Sequence, residues 1–305
     1  MSVSIPNSVK EIGSYAFNGC NALISVSIPD SVTEIGSGTF YECSALTSLT
    51  IPNSVKEIGN EAFYGCSSLE SISLSDSLQT IHYALFRNCK SLKALVLPGS
   101  IQHIEQQLNR RQSSYTFDNC ESLKNLSILN STDSLSVGYV NEYFNGSDYE
   151  DIYKPSDWYS WTDKIETLFI DRSLEKNIPV PNLQKLELGE SIKTVQIENF
   201  SSLEKLNTIE SHALVPPVLE GVSNTQFSTV SVSVPAEALD AYKADPVWGQ
   251  FWNLQSSGVD NLKAEANTIF EIGRYDINGR SVSEDYSGLV IVRFSDGSHK
   301  KMLNR

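Results

Sequence analysis

A repeat of 23 residues runs through the first third of this 305-residue chain and limits how it can fold. Three kinds of residue keep that spacing. They are Ile5-Pro6, Ile28-Pro29 and Ile51-Pro52; Phe17, Phe40, Phe63 and Phe86; and Cys20, Cys43, Cys66 and Cys89. An expansion around 106–113 then separates Cys89 from Cys120 by 31 residues, after which the register resumes. Insertion without loss of register indicates a repeat protein in which each unit contacts its neighbours.

Each repeat combines a short strand with a second apolar pair and a turn. In 46–51, apolar and polar residues alternate, which places Leu49 and Ile51 on the inner side of a strand. A proline ends the strand, and a pair such as Val55 and Ile58 follows. One repeat cannot enclose its own apolar face, so we expect stability to come from repeats stacked along one axis. The stacked phenylalanine, cysteine and leucine positions should then form a continuous core.

The order of strand, Ile-Pro, Val-x-x-Ile-Gly, Ala-Phe, Cys and Leu resembles the BspA-like leucine-rich repeats over residues 1–129. The resemblance implies a right-handed leucine-rich-repeat solenoid of parallel strands, with short second strands, turns and little helix. It also implies a bacterial surface or secreted protein, since several relatives are implicated in adhesion to host or bacterial partners.

Four segments follow from the pattern. They are the regular repeats of 1–129, an aromatic and acidic insertion at 130–164, degenerate repeats with a cap at 165–258, and a small antiparallel β module at 259–305. The cap is expected as a short helix after Pro235 with an aromatic plug of Trp248, Phe251 and Trp252, similar to the closing segment of Bacteroidetes members of the family. The last segment resembles C-terminal domains of surface Bacteroidetes proteins, some of which are sorting signals.

Charge and hydropathy exclude several partners. The formal net charge of −14 argues against nucleic acid and anionic membranes, because phosphate binding draws on clustered lysine and arginine. No run of apolar residues is long enough for a transmembrane segment. Residues 1–6 already lie inside a repeat and do not have the pattern of a signal peptide. Either the chain is cytosolic or an export signal has been lost, and the start inside a repeat indicates a truncated or mature chain. The family resemblance implies that it is secreted or held at the outer cell surface.

The sequence shows no pattern that predicts a cofactor, a metal or a catalytic site. All five cysteines fall in one position of the repeat, which favours buried thiols packed as small apolar groups over disulfides or metal ligands. The four histidines are scattered, and His82 stands where Gly13, Gly36 and Gly59 stand in other repeats. No G-x-S-x-G nucleophile motif is present. We predict that the protein is not an enzyme.

Two surfaces are candidates for ligand binding. The first is the insertion, whose aromatic rings beside carboxylates suit sugar stacking or a protein hot spot. Its candidate residues are Tyr139, Tyr143, Tyr149, Tyr153, Asp157, Trp158, Tyr159, Trp161 and Asp163. The second is the outward strand face of the regular repeats, which we expect to be concave. Its candidate residues are Ser25, Ser27, Ser48, Thr50, Ser71 and Ser73. The alternative for the insertion is that its rings pack against the solenoid. The alternative for the strand face is that it is simply exposed to solvent.

The resulting functional hypothesis is a non-catalytic binding or adhesion protein that recognises a protein or glycan on a host or neighbouring cell. One alternative is an architectural surface spacer without a specific ligand. A second alternative is a hydrolase whose site lies in the insertion. The sequence leaves the ligand and the oligomeric state open.

Overall fold

The computed structural model describes the backbone of residues 1–108, 113–114, 116–131, 134–145, 148–155, 160–174, 177–257, 271–276, 288–294 and 299–304. It describes the side chains of residues 1–106, 116–131, 134–137, 162–174 and 177–257. The chain forms two compact parts, Met1–Ser256 and Ser257–Arg305.

Short strands dominate the first part, and helices are few. The strands are β1 Ser2–Ser4, β2 Glu11–Ile12, β3 Ser25–Ser27, β4 Glu34–Ile35, β5 Ser48–Thr50, β6 Glu57–Ile58, β7 Ser71–Ser73, β8 Thr80–Ile81, β9 Ala94–Leu97, β10 His103–Leu108, β11 Ser113–Ser114, β12 Asn125–Ile128, β13 Ser136–Asn145, β14 Asp148–Pro155, β15 Thr167–Ile170, β16 Lys185–Leu188, β17 Thr208–Ser211, β18 Ser231–Val234 and β19 Asn253–Ser256. The α-helices are α1 Asn224–Thr229 and α2 Leu239–Ala244, and 3-10 turns span Ser160–Lys164, Phe200–Ser202, Ala236–Ala238 and Trp248–Gln250.

Parallel strands stack along the repeats as the period predicts. β1 pairs with β3 and β5 pairs with β7, each at an offset of 23 residues, as in Ser48 with Ser71. A seven-stranded parallel sheet continues in the order β19-β18-β17-β16-β15-β12-β9. Inner residues such as Leu49 and Leu126 are buried, because alternate side chains of a strand point to opposite faces. The parallel, helix-poor repeat architecture expected from the sequence is thus present.

A second ladder of strands lies on another side of each repeat. β2, β4 and β6 pair in parallel, and further along the chain β8, β10 and β13 do the same. The expansion of the fifth repeat contains β10 and β11, which pair in antiparallel fashion. Part of the 130–164 insertion is likewise a hairpin, in which β13 pairs with β14 from Gly138–Pro155 to Asn145–Asp148. Both departures from the 23-residue period therefore extend this second ladder.

Two turn positions in each regular repeat have left-handed backbone. Residues at the first position are Tyr15, Gly38, Glu61 and Ala84, and those at the second are Gly19, Glu42, Gly65, Asn88 and Asn119. Only glycine adopts this conformation without a steric cost, which is about 1 to 2 kcal/mol for other L residues. The recurrence of positive φ in non-glycine residues shows that the stacked repeats impose the turn geometry on whatever residue stands there.

The phenylalanines form one continuous stack through the core. Ring centroids of Phe17, Phe40, Phe63, Phe86 and Phe117 are 5.3, 5.8, 5.6 and 5.7 Å apart along the series, and the planes deviate by at most 14°. All but Phe17 are fully buried. Stacked rings at this spacing add about 0.5 to 1.5 kcal/mol per pair beyond the burial of their area.

The cysteine column is more than apolar packing. The thiols of Cys43, Cys66, Cys89 and Cys120 each donate a hydrogen bond of 3.0 to 3.2 Å to the phenylalanine carbonyl oxygen of the preceding repeat. These four thiols are buried, and all five cysteines are free. Cys20 is only half-buried, so the expectation that all five would be inaccessible is wrong for this residue. No described repeat covers it on its outer side.

After Pro235 the chain forms the helix α2, and two of the three aromatic residues expected in a plug are buried. Tyr242, Trp248 and Phe251 are buried, and the rings of Tyr242 and Trp248 meet edge to face at 5.3 Å. Trp252 is 68% exposed, so it is not part of the plug. The chain turns at Trp252 into β19, which adds one more parallel strand to the sheet.

In the second part, three strands are described: β20 Glu271–Asp276, β21 Gly288–Phe294 and β22 His299–Asn304. β20 and β21 are antiparallel, as are β21 and β22.

Candidate functional site

The outward strand face brings together the small polar residues that the sequence predicts there. Their side chains are half-buried or exposed, and pairing places Ser48 beside Ser71 and Thr50 beside Ser73. The hydroxyl of Ser25 donates to that of Ser2 over 2.8 Å. β3 lies next to β5, and β7 lies next to β9. The remaining members of this strip are Ser27 and the outward residues of the seven-stranded sheet.

The insertion residues are distributed over three elements. Tyr139 and Tyr143 lie in β13, Tyr149 and Tyr153 lie in β14, and Trp161 lies in the 3-10 turn Ser160–Lys164. In the register of the hairpin, Phe144 is opposite Tyr149 and Val140 is opposite Tyr153.

The other insertion candidates are placed less completely. Asp157, Trp158 and Tyr159 lie outside the described residues. Asp163 is exposed, and its backbone carbonyl accepts a hydrogen bond of 2.6 Å from the Asn182 side chain. The description of side chains leaves out residues 138–161, so the gathering of rings and carboxylates on one patch stays a prediction.

A charged cluster on the degenerate repeats is the most developed polar site among the described side chains. It consists of Lys185, Glu187, Glu210 and His212, and we call it the ion cluster. Lys185 Nζ lies 2.9 Å from Glu210 Oε2 and 3.4 Å from Glu187 Oε1. His212 Nε2 lies 3.8 Å from the same Glu187 oxygen. The register of β16 and β17 sets Glu187 directly beside Glu210, so the two carboxylates need neighbouring cations.

Within the ion cluster, Glu187 and His212 stabilise each other's charged forms, and both carboxylates stabilise the charged form of Lys185. The side-chain interaction with Glu187 raises the pKa of His212, and partial burial opposes that effect. The same interaction with His212 lowers the pKa of Glu187. Burial works against the charge of Lys185, but hydrogen bonding to Glu210 raises its pKa overall. The cluster is therefore a set of fixed, partly desolvated charges that a ligand can meet without further ordering.

A glycine makes room for another acid beside the cluster. Burial raises the pKa of Asp171, while the backbone N–H of Ser191 donates to its Oδ1 over 2.7 Å. A Cβ on Gly189 would lie 2.0 Å from the Asp171 carboxyl carbon. Gly189 is therefore needed for the close approach of this side chain to the neighbouring repeat.

Three residues of the ion cluster have the donor types of a metal site. The ligand atoms of Glu187, Glu210 and His212 lie within 4.8 Å of one another. Carboxylate and imidazole are common ligands for divalent metals. However, the ammonium of Lys185 already contacts both carboxylates. The arrangement thus neutralises its acids internally and suits polar contacts with a ligand better than coordination of a metal.

One serine–histidine contact bears on the question of catalysis. His103 Nδ1 lies 2.6 Å from Ser136 Oγ, but the Ser136 hydroxyl donates to the Gln102 carbonyl at 3.2 Å. Ser136 is also 1% exposed. A catalytic serine needs an accessible oxygen and a base that takes its proton. This contact links β10 to β13 and lacks the features of a nucleophilic pair.

Neither of the two candidate surfaces included the ion cluster, although the sequence contains a signal for it. Glu187 and Glu210 are 23 residues apart, as the regular repeat predicts for adjacent outward positions. Lys185 precedes Glu187 by two residues and His212 follows Glu210 by two. An extended strand places residues two apart on one face, so extending the period into 165–258 would have assembled this group.

Comparison with known proteins agrees with the repeat pattern. The family model for the BspA type leucine rich repeat region matches residues 1–114 in six copies. None of the curated proteins matches the sequence. In the described part of the chain, no helix is long and apolar enough to cross a membrane.

Three solved structures of bacterial leucine-rich-repeat proteins are similar. One from Bacteroides ovatus ATCC 8483 is 22% identical, covers 85% of this chain and 84% of its own, and has a TM-score of 0.35. The T. pallidum leucine rich repeat protein is 28% identical, and the match covers 45% of this chain and 72% of that protein, with a TM-score of 0.36. A leucine rich cell surface protein from Faecalibacterium prausnitzii A2-165 is 17% identical, and the match covers 86% of this chain and 89% of that protein, with a TM-score of 0.36. Residues 1–114 thus consist of repeats that match the BspA type leucine rich repeat.

Proposed function

We propose that the protein is a non-catalytic, exported binding protein that recognises a protein or glycan partner on a host or neighbouring cell. Leucine-rich-repeat proteins are generally protein-interaction or surface proteins, and the BspA type is typically surface-located or secreted. The net charge of −14 makes a nucleic-acid partner unfavourable. In the same proposal, residues 259–305 serve as a sorting or anchoring module.

The observation that carries the proposal is an aromatic residue beside the ion cluster on the outward sheet face. Phe169 on β15 is half-buried, and the register sets it next to Glu187 on β16 and Ser127 on β12. A ring next to fixed charges offers both an apolar contact and directional polar contacts. Such combinations are typical of binding hot spots and of sugar recognition.

The test measures binding to arrays of host-matrix proteins and glycans, followed by titration of the strongest ligand. Phe169→Ser introduces the residue type that stands at 127 in the same row, and Glu210→Gln removes one charge of the ion cluster. Each should weaken binding by at least about tenfold, because hot-spot residues contribute on the order of 2 kcal/mol. Ser233→Ala, in the same row on β18, should bind normally.

The same titration decides between this surface and the insertion. If the insertion is the site, Trp158→Ala and Trp161→Ala abolish binding without changing the melting temperature, and Phe169→Ser binds normally. Ser48→Arg and Ser71→Arg report on the strip of the regular repeats. Absence of saturable binding on every array would favour the architectural spacer and contradict the proposal.

A further inference from the structure

The turn that follows β17 exposes an unusual amount of aliphatic surface. Leu214 is 56% exposed, Val215 is 75% exposed and Val218 is 53% exposed. We call these three residues the apolar corner. Scattered single apolar residues on a surface are ordinary, but three within five positions of one turn concentrate exposed apolar surface, which is typical of interaction sites.

The same turn is polar in the regular repeats. The first four strands of the outward face are followed by Pro-Asn-Ser, Pro-Asp-Ser, Pro-Asn-Ser and Ser-Asp-Ser. Each of these turns exposes an asparagine or aspartate, namely Asn7, Asp30, Asn53 and Asp76, and the aliphatic residue that follows the triplet is buried at Val32, Val55 and Leu78. After β17 the sequence is instead His-Ala-Leu-Val-Pro-Pro-Val. The repeat architecture therefore does not require exposed aliphatic residues at this turn, because the regular repeats bury theirs.

The core holds the apolar corner rigidly from beneath. The buried Tyr242 hydroxyl donates to the Ala213 carbonyl at 3.2 Å, and the buried Trp248 indole N–H donates to the Pro217 carbonyl at 2.7 Å. The backbone N–H of Val218 donates to a carbonyl of the preceding repeat at 2.8 Å. The aliphatic side chains are thus presented on a fixed backbone, which reduces the entropy that a partner must remove on binding.

Exposed glutamates outnumber the basic residues, Lys193 and His212, in the turn of the corner and the adjacent turn. Glu190 and Glu198 are exposed in the adjacent turn of the preceding repeat, and Glu220 is exposed two residues after Val218. Lys193 is the one basic residue of that adjacent turn. An apolar centre with an acidic rim is complementary to a partner with the opposite rim charge.

We propose that the apolar corner and its three flanking glutamates form a docking surface for a protein segment that carries lysine or arginine next to apolar side chains. The corner is separate from Phe169, so the inference goes beyond the binding face proposed above. Such a partner fills the apolar patch and pairs its basic residues with the rim.

Other occupants fit the chemistry less well. A second copy of this chain brings another acidic rim and a net charge of −14, which repels at this surface. An anionic membrane meets the same repulsion. Sugars stack on aromatic rings, whereas Leu214, Val215 and Val218 offer only aliphatic groups.

The experiment uses the full chain and a random peptide library displayed on phage. Peptides are selected on the wild type and depleted on the double variant Leu214→Asn/Val215→Ser, which replaces two exposed aliphatic side chains by polar ones. We expect enrichment of peptides with lysine or arginine beside apolar residues. The enriched peptide, made synthetically, should bind the double variant at least about tenfold more weakly in calorimetry.

Matched variants separate the two parts of the surface. Glu190→Gln/Glu220→Gln should weaken the peptide severalfold and flatten its salt dependence. Ile24→Asn removes another exposed apolar side chain, one that is 50% exposed, and should bind like the wild type. All variants should melt within about a degree of the wild type, because they alter exposed residues.

Three results would overturn the inference. Enriched peptides that lack basic residues would refute the acidic rim, and equal binding by wild type and double variant would refute the corner. A dimer in sedimentation that Leu214→Asn/Val215→Ser dissociates would assign the surface to a second copy. The Phe169→Ser variant keeps this test separate from the binding face, since it should bind the peptide normally.

Discussion

Removal of one ring from the phenylalanine stack tests the central packing argument. Phe40 is fully buried between Phe17 at 5.3 Å and Phe63 at 5.8 Å, with planes 1° and 8° apart. Phe40→Ala deletes a buried ring and two stacking contacts, so we expect it to cost about 3 to 5 kcal/mol of unfolding free energy. The same estimate applies to Phe63, which lies between Phe40 and Phe86. Equilibrium urea unfolding, followed by circular dichroism, measures the change.

The stack supplies its own control. Phe17 occupies the same column but is only half-buried, and its described ring neighbour is Phe40. Phe17→Ala should therefore cost about half as much, or roughly 1.5 to 2.5 kcal/mol. Since each repeat is stabilised through its neighbours, a gap at Phe40 weakens two interfaces, whereas one at Phe17 weakens one. A loss below about 1 kcal/mol for Phe40→Ala, or equal losses at both positions, would show that the stacking argument is wrong.

Three further predictions concern other columns. Gly59→Ala should cost about 1 to 3 kcal/mol of unfolding free energy in urea, because its Cβ would lie 2.5 Å from the Ser37 backbone nitrogen. Gly13→Ala is the matched control, since its Cβ would meet nothing within 4 Å. Equal effects of the two substitutions would contradict the close approach at Gly59. Alkylation of the native protein, followed by mass spectrometry, should label Cys20 first, because burial raises the pKa of Cys43 to about 11 and that of Cys120 to about 12. Rapid labelling of Cys43, or recovery of a disulfide-linked peptide, would contradict this. The raised pKa of His212 adds stability below about pH 6.5 that disappears as pH rises through its folded pKa, and the lowered pKa of Glu187 adds stability above about pH 4.5. The melting temperature of His212→Gln should therefore fall furthest below the wild type between those values and approach it at pH above the folded pKa of His212. A difference that does not vary with pH would refute the pairing.

The sequence predicts the part of the fold that depends on local pattern. Alternation in each repeat assigns Leu49 to the core and Ser48 to the surface, and the period stacks the phenylalanines and cysteines. These assignments succeed because every repeat solves the same packing problem with neighbours of the same kind. The thiol hydrogen bonds were not predicted, since the acceptor for Cys66 is the carbonyl of Phe40, 26 residues earlier.

Departures from the period are harder to assign. The residues around 106–113 and 130–164 interrupt the spacing, and local pattern does not reveal which strand each segment will meet. β13 pairs in parallel with β10 and in antiparallel with β14, so its place depends on two distant partners at once. Exposure of Trp252 has a similar origin: the neighbouring Trp248 and Phe251 fill the plug, and the chain leaves it to form β19.

Stacking constrains the residue types only at the inward positions of a repeat. At the outward positions, the two halves of the solenoid carry different residue types. In the regular repeats the outward rows are mostly serine and threonine, which add little chemistry to a surface. In the degenerate repeats, Phe169, the ion cluster and the apolar corner occupy the corresponding outward rows and turns within three successive strands, β15 to β17. Phe169 and the apolar corner are not needed to close the core, and their exposed apolar surface costs solubility. A role in recognition explains that cost, which is why the binding experiments above concentrate on the repeats that depart furthest from the consensus of the first half.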